Sequence, residues 1–378
     1  MTAPAERLRA LDAFRGATIA AMLLVNNPGT WSAIYPPLRH AEWHGWTPTD
    51  LIFPFFVFIV GVTTHMSLTA RRAKGHTEGQ IVRKILIRGA TIIACGLLLH
   101  AFPYFPAERW TGLRFPGVLQ RIGVAYVLAA LLTRRGSLKT QVLILVALLY
   151  GYWFAMTLLP VPGGGLGALA LDRPDASLAA WLDRLVLGTR HLWSQSRTWD
   201  PEGLLSTIPA IGTAMLGVFT GRWLATPRSL DERLSGLFFA GLAATVAGTM
   251  WGWSFPINKN LWTSSYVLFT AGLATLTLAA CLWLMDRHGR TAWARPFLPF
   301  GVNPLIAFVG SGMMARVLGL IRVPLGGQSV PLQRAIFQLI FEPWLPTMDA
   351  SLAYALVFVA VWLLLLVPLY RRGVYLRV

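Results

Sequence analysis

The residues best suited to chemistry in this 378-residue chain fall in one run, Arg39-His40-Ala41-Glu42-Trp43-His44-Gly45-Trp46-Thr47-Pro48-Thr49-Asp50. Two imidazoles, two carboxylates and two indoles stand within these twelve residues, directly before an apolar run from Leu51 to Thr69. Imidazole titrates near neutrality, so it can take a proton from an attacking nucleophile or carry an acyl group itself. A carboxylate beside it, Glu42 or Asp50, would fix which ring nitrogen holds the proton. Trp43, Trp46 and His44 have a second explanation, because amphipathic rings collect at headgroup depth in a membrane. His40 is the functional candidate.

A membrane protein must position this loop. Hydrophobic residues make up 55% of the chain and charged ones 13%, with a mean hydropathy of +0.56, which excludes a soluble domain. The net charge of +17 is scattered in short clusters between apolar runs. That pattern suits membrane topology and not nucleic-acid binding. Cys95 and Cys281 both lie inside apolar runs, so neither a disulfide framework nor a metal site is expected.

A helix needs about 20 apolar residues to cross the hydrocarbon core. Roughly ten such runs occur, at 11–27, 51–70, 83–101, 117–133, 141–159, 204–224, 235–253, 264–285, 298–320 and 350–370. The expected fold is all-α, a single transmembrane domain over residues 1–378, with an eleventh short helix at 330–342. Residues 1–9 are too brief and polar for a secretory signal. Arg7 and Arg9, Arg71, Arg72 and Lys74, Arg134 and Arg135, Arg228 and Arg233, Arg287 and Arg290, and Arg371, Arg372 and Arg377 mark alternate connections as cytoplasmic. Both termini are therefore expected inside. The connections 28–50, 102–116, 160–203, 254–263 and 321–349 face outward, with 160–203 the long one.

The outward side holds most of the other reactive types. Gln120 and Arg121 fall about one turn into the fourth helix. Asp200 precedes the sixth, where capping, with Pro201 at the first position, is the favoured role. Asn258-Lys259-Asn260 suits a phosphate or sugar hydroxyls, and equally a polar turn. Asp12, Arg15, Arg88, Gln120, Arg121 and Arg316 fall at membrane depth, where ionisable groups mark function by default. A local Asp12–Arg15 salt bridge is the simpler account of that pair.

Leu11-Asp12-Ala13-Phe14-Arg15-Gly16, Val25-Asn26, His40-Ala41-Glu42-Trp43-His44-Gly45, Asp50-Leu51-Ile52-Phe53-Pro54, Arg114-Phe115-Pro116-Gly117-Val118-Leu119-Gln120-Arg121, Asp200-Pro201-Glu202-Gly203 and Asn258-Lys259-Asn260-Leu261-Trp262 together resemble the heparan-α-glucosaminide N-acetyltransferase family. The likeness runs from about residue 7 to 310. It implies transfer of acetyl from cytosolic acetyl-coenzyme A across a membrane to the amino group of a glucosamine. It also places the active-site histidine at His40 and a neighbouring asparagine at Asn26. Leu-Asp-x-x-Arg-Gly is similar as well to a broader superfamily of sugar acyltransferases, many with a catalytic His eleven residues after the Arg. Position 26 is Asn here, which is no base, and this shifts the expectation to His40.

Lys259 and Arg121 are the leading candidates to hold the donor or an anionic acceptor, with Trp43, Asp50, Gln120, Asp200, Asn258, Asn260 and Arg15 as further binding residues. Expected partners are acetyl-coenzyme A, an amino sugar and membrane lipid, without nucleic acid; a homodimer stays open. The expected location is the cytoplasmic membrane, multi-pass, with the site toward the periplasm. Three alternatives remain: an O-acyltransferase of envelope glycans, a transporter or flippase, against which the lack of an evident internal repeat counts, and a non-catalytic sensor.

Overall fold

In hydrocarbon every backbone polar group must be satisfied within the protein, and a long apolar run meets this by becoming a helix. The computed structural model describes residues 8–376, and of residues 107–109 the backbone alone. Arg7 and Arg377, two of the topology charges, lie outside the described residues. The longer helices are α1 (Arg9–Asn26), α2 (Ile52–Ala73), α3 (Glu78–Ala101), α4 (Val118–Thr133), α5 (Leu138–Leu158), α7 (Leu204–Leu224), α8 (Leu230–Trp251), α9 (Ser264–Leu282), α11 (Pro304–Leu320) and α13 (Thr347–Arg371). Three short ones, α6 (Leu178–Leu187), α10 (Leu298–Val302) and α12 (Leu332–Ile336), complete the helical set.

Every apolar run is helical, with ends displaced by a few residues. Among the described residues six spans are long and apolar enough to cross a bilayer: Pro48–Ala73, Leu138–Leu158, Leu204–Leu224, Leu230–Trp251, Ser264–Arg287 and Thr347–Arg371. The others differ in character. Arg9, Asp12 and Arg15 sit on α1, Arg83, Lys84 and Arg88 on α3, while α4 and α11 have 16 and 17 residues.

Three expectations need correction. The run 298–320 is not one helix: it breaks between α10 and α11 at Asn303, whose φ of −125° and ψ of 50° are non-helical. Pro304 is the cause, since a proline disfavours the helical region for the residue before it. The Asn303 amide then holds the chain end, donating to the Val374 carbonyl at 3.1 Å and accepting from the Leu376 N–H at 3.0 Å. Nor is the chain purely helical. Strands β1 (Arg322–Leu325) and β2 (Gln328–Pro331) pair antiparallel across Gly326-Gly327, both at positive φ, the dihedral sign a tight two-residue hairpin requires. The segment 330–342 is α12 extended by a π turn, Phe337–Phe341. Finally, the stretch 160–203, expected as a loop, contains α6 and is partly ordered as helix.

The central core is built from α2, α3, α4 and α7 around Trp262 and Tyr266. α2 and α7 pack with backbones nearly touching, because a Cβ on Gly61 would strike the Ala214 carbonyl and one on Gly217 the Phe58 carbonyl. This close approach holds α2, and the loop before it, in a fixed position.

Candidate active site

Asp50 closes a short 3-10 turn, Pro48–Leu51, whose first residue is preceded by Thr47. Its side chain is 1% exposed. One carboxylate oxygen accepts the backbone N–H groups of Ala41 and Thr47, both at 3.0 Å. The other lies 2.6 Å from His40 Nδ1. The carboxylate can only accept, so Nδ1 carries the proton and Nε2 keeps a free lone pair. Of the two candidate carboxylates, Asp50 makes this bond. The Tyr266 hydroxyl donates to the Asp50 backbone carbonyl, tying the turn to α9. The His40 side chain is 48% exposed, so its free nitrogen is accessible.

Lys259 comes to the same ring from 219 residues away. Its ammonium lies 3.2 Å from Nδ1, 3.3 Å from Nε2 and 3.9 Å from the Asp50 carboxylate. The ammonium thus lies against the imidazole, within hydrogen-bond distance of both nitrogens. Burial lowers the Lys259 pKa, and Asp50 opposes that shift. The loop presenting it is held from within. Asn258 is fully buried, accepts the Leu261 N–H at 2.8 Å and lies 3.2 Å from His44 Nδ1, while His44 Nε2 is 2.9 Å from Asp172. Asn258 and His44 therefore hold the loop. Asn260 is part-exposed, and among the described residues its side chain makes no hydrogen bond, leaving it open to a ligand.

Trp262 ends that turn at φ 50°, a left-handed conformation that costs a bulky residue about 1–2 kcal/mol. Its surroundings enforce it. The indole is fully buried, donates to the Thr213 hydroxyl at 3.1 Å and lies under the Arg121 guanidinium, 5.0 Å from the ring centroid. Arg121 is 2% exposed and donates to the Gly203 carbonyl and the Ser206 hydroxyl. It thus backs the Lys259 turn and is closed to the outside. Trp43 likewise ties loops together: its indole donates to the Leu171 carbonyl at 2.7 Å, and its ring meets Trp199 edge-on.

Asp200 does not cap the following helix. The Leu204 N–H that opens α7 is taken by Asp183 at 2.8 Å. Asp200 instead grips Arg114 with two oxygens, at 2.9 and 2.6 Å, and Glu202 adds a third contact at 2.5 Å. Burial works against the Arg114 charge, but the Asp200 hydrogen bonds and Glu202 outweigh it and raise its pKa. Burial pushes the Asp183 carboxyl up to about 7, against the pull of the Leu204 N–H. Sequence reasoning quoted Arg114 in a motif without giving it a role and did not single out Asp183. Arg114 at the head of Arg114-Phe115-Pro116-Gly117, in an outward-assigned loop that holds only one other arginine, was the available signal.

The remaining residues line a slot. Two cavities of about 420 and 350 Å³ follow one another along α1, and a third of about 330 Å³ adjoins the second. The first is apolar apart from Arg15 and Arg88. Met22, Val118, Leu119 and Phe308 are common to it and the second, which adds Asn26, His100, Gln120 and Arg316. His100, Arg114 and Arg316 then lead into the third. Arg15 also pairs with Asp12 at 2.5 Å, as the i, i+3 spacing predicts. At the junction His100 Nδ1 lies 3.1 Å from the Arg114 carbonyl and 3.3 Å from the Gln120 amide nitrogen. The structure thus makes two groups: His40, Asp50 and Lys259 in one, Asn26 and Gln120 with His100 in the other. Among the described residues no hydrogen bond links Asn26 to His40.

Membrane-length helices around a carboxylate-oriented imidazole and a long slot define a polytopic helical membrane protein with a centre suited to proton transfer. Residues 7–251 match the family described as heparan-alpha-glucosaminide N-acetyltransferase, catalytic. The chain belongs to this family. It is 31% identical over 359 residues to heparan-alpha-glucosaminide N-acetyltransferase of Homo sapiens, a match covering 82% of this chain and 53% of that protein. The Mus musculus protein of the same name is 31% identical over 355 residues, covering 81% and 53%. The chain therefore spans about half the length of the curated relatives it matches. The family match includes Asn26, His40, Asp50, Arg114, Gln120 and Asp200, and stops before Lys259 and Arg316.

Proposed function

We propose that this chain is a transmembrane N-acetyltransferase of the cytoplasmic membrane. It moves acetyl from cytosolic acetyl-coenzyme A to the amino group of a glucosamine-type sugar on the outer side. The observation that carries this reading is the 2.6 Å contact between His40 and the buried Asp50, which leaves Nε2 the unprotonated nitrogen, able to act as a base. The relatives' name supplies the amino-sugar acceptor. All ten long helical segments cross the membrane in this reading, with both termini inside and residues 1–378 forming one domain.

The slot gives the donor a route. Its nucleotide phosphates sit toward Arg15 and Arg88, and its thioester reaches the Asn26 end. The acceptor amine attacks the thioester carbonyl and forms the C–N bond. As charge grows on the carbonyl oxygen, the Lys259 ammonium beside His40 stabilises it, a donor typically worth about 3 kcal/mol, while the Asn26 amide lines the donor's path. His40 Nε2 takes the amine proton, and Asp50 stabilises the imidazolium that results. When the C–S bond breaks, His40 returns that proton to the thiolate. No metal is required.

Vesicles holding the purified protein and labelled acetyl-coenzyme A test this with glucosamine, a glucosamine-terminated oligosaccharide and a simple alkyl amine offered outside. The amino sugars are acetylated on nitrogen and the alkyl amine is ignored, because the ring must be held to place the amine. His40→Ala abolishes transfer. Equal rates on all three acceptors, acetyl found only on hydroxyls, or more than about a tenth of turnover in His40→Ala, where a general base typically gives about 100-fold or more, would overturn the proposal.

A further inference from the structure

The run that carries His40 holds a second imidazole, His44, with the opposite proton placement. Asn258 is fully buried and its side-chain oxygen accepts the Leu261 N–H at 2.8 Å, which fixes the amide. Its NH2 group therefore faces His44 Nδ1, at 3.2 Å. An amide NH2 can only donate, so Nδ1 must present its lone pair. The ring proton then sits on Nε2 and is donated to Asp172 at 2.9 Å. His40 has its proton on Nδ1, and His44 needs its own on Nε2.

The relay ends at the transfer centre, because Lys259 follows Asn258 in the chain and lies against His40. The Gly45 N–H, next to His44, also donates to the Ile257 carbonyl at 2.8 Å. The His40 run thus grips the Lys259 turn at two neighbouring points, and only the His44 contact depends on a proton. With both nitrogens protonated His44 is a double donor, and Nδ1–H opposes the Asn258 NH2. A buried amide deprived of its acceptor is costly, so Asn258 must turn away and release the Leu261 N–H. The charges around His44 set the balance. Asp172, from the 160–203 stretch, favours the imidazolium, but its side chain is 83% exposed and its pull is screened. Lys259, on the 254–263 loop, opposes that pull. Arg173 and Asp175 beside Asp172, and Glu42 on the His44 run, are exposed, while Asp50 is taken up by His40.

We propose that His44 is a positioning residue that couples the acidity of the outer side to the Lys259 turn. Neutral, it holds Asn258 and so keeps the ammonium at His40; protonated, it releases both, and transfer slows. The inference rests on the transferase reading and the role given to Lys259 above. Acid then acts on transfer twice, once through the base His40 and once through the turn.

The test follows amide hydrogen exchange in 254–263 and kcat/KM for glucosamine on the purified protein, from about pH 5 to 8, where imidazoles titrate. Wild type is compared with His44→Asn, whose side-chain oxygen can accept from Asn258 in place of Nδ1 and does not titrate. In wild type, exchange at Leu261, corrected for its intrinsic pH dependence, rises about fivefold or more toward acid, the worth of one lost hydrogen bond. His44→Asn shows no such rise. The acid limb of log kcat/KM steepens toward a slope of about two in wild type, because two imidazoles must be neutral, and returns to about one in His44→Asn. Asp172→Asn, altered on an exposed side chain, keeps the fold and moves the exchange rise to lower pH, since the imidazolium loses its counter-charge. No rise in wild type, a rise that survives His44→Asn or stays unmoved in Asp172→Asn, or a wild-type slope of about one, overturns the switch. A rise that His44→Asn removes, in a protein that transfers no acetyl, upholds His44 as the switch of the turn and rejects the transferase reading instead.

Discussion

Replacing Asp50 by Asn removes one charge and changes no shape, which makes it the sharpest probe of the His40 centre. The amide has one accepting atom, and the structure offers it two competing places. Facing Ala41 and Thr47, the oxygen keeps two backbone N–H bonds, now at 3.0 Å; facing His40 it keeps one. Two bonds of about 1 kcal/mol each outweigh one, so the NH2 group turns to His40 Nδ1. That nitrogen must then accept, the imidazole proton moves to Nε2, and the base loses its exposed lone pair. Restoring the working tautomer costs about 1–3 kcal/mol for the mismatched bond. Loss of the carboxylate beside the imidazolium adds about 1.5–3 kcal/mol. A total of about 2.5–6 kcal/mol corresponds to a fall in turnover of roughly 10² to 10⁴. The backbone bonds survive, so the variant folds. The assay is steady-state acetyl transfer to glucosamine at saturating acetyl-coenzyme A, with thermal unfolding run beside it. Turnover above about a tenth of wild type, against the 10²-fold minimum expected of a base, in a folded Asp50→Asn protein would refute the tautomer reasoning.

Two further outcomes follow from the geometry. The Asp183 carboxyl lies at about 7 in the folded chain, above its ordinary 3.8, so the folded state holds an extra proton between these values and stability from this group falls as pH rises through that window. Asp183→Asn keeps an acceptor for the Leu204 N–H, and melting temperatures measured from pH 4.5 to 8.5 will show a flatter profile and a more stable variant at the alkaline end; an unchanged profile counts against the buried acid. Val118 borders both the first and second cavities. Val118→Trp narrows the slot, so the KM for acetyl-coenzyme A rises about tenfold or more while glucosamine binding persists, provided overpacking costs no more than about 1–3 kcal/mol; an unaltered KM removes the slot as the donor route.

How much of this was readable in the sequence depends on chain separation. His40 and Asp50 are ten residues apart, and composition alone drew attention to their loop. The Lys259 motif drew attention too, but its approach to His40 spans 219 positions and is created by the packing of α9 and α2 around Trp262. Arg114 and Asp200, 86 apart, escaped for the same reason, and Asp200 was assigned to a helix cap because its local context, Asp-Pro-Glu-Gly, fits one. In the fold, hydrophobic runs gave the helices. The break at Asn303-Pro304 and the hairpin at Gly326-Gly327 had local signals that overall apolarity masked.

The division between plainly apolar helices and charged ones has a physical cause that bears on the ten crossings proposed. α5, α8 and α13 bury only 33%, 22% and 28% of their most apolar windows, as helices facing lipid do. The windows of α2, α7 and α9 are 56%, 67% and 61% buried and form the wall behind His40. The four remaining long helices, α1 and α3 with their charges and the apolar but shorter α4 and α11, are the ones lining the slot. Each contributes a polar residue to it: Arg15, Arg88, Gln120 and Arg316 respectively. Charge at such depth is unfavourable against hydrocarbon and tolerable against a cavity or a bound anion. The charges of α1 and α3 therefore suit a cavity wall, and neither those charges nor the shorter length of α4 and α11 argues that these helices lie outside the membrane. A residue such as Arg88, stacked over Tyr126 at 4.9 Å with its Nε buried and unpartnered, is placed where a charged donor would complete it.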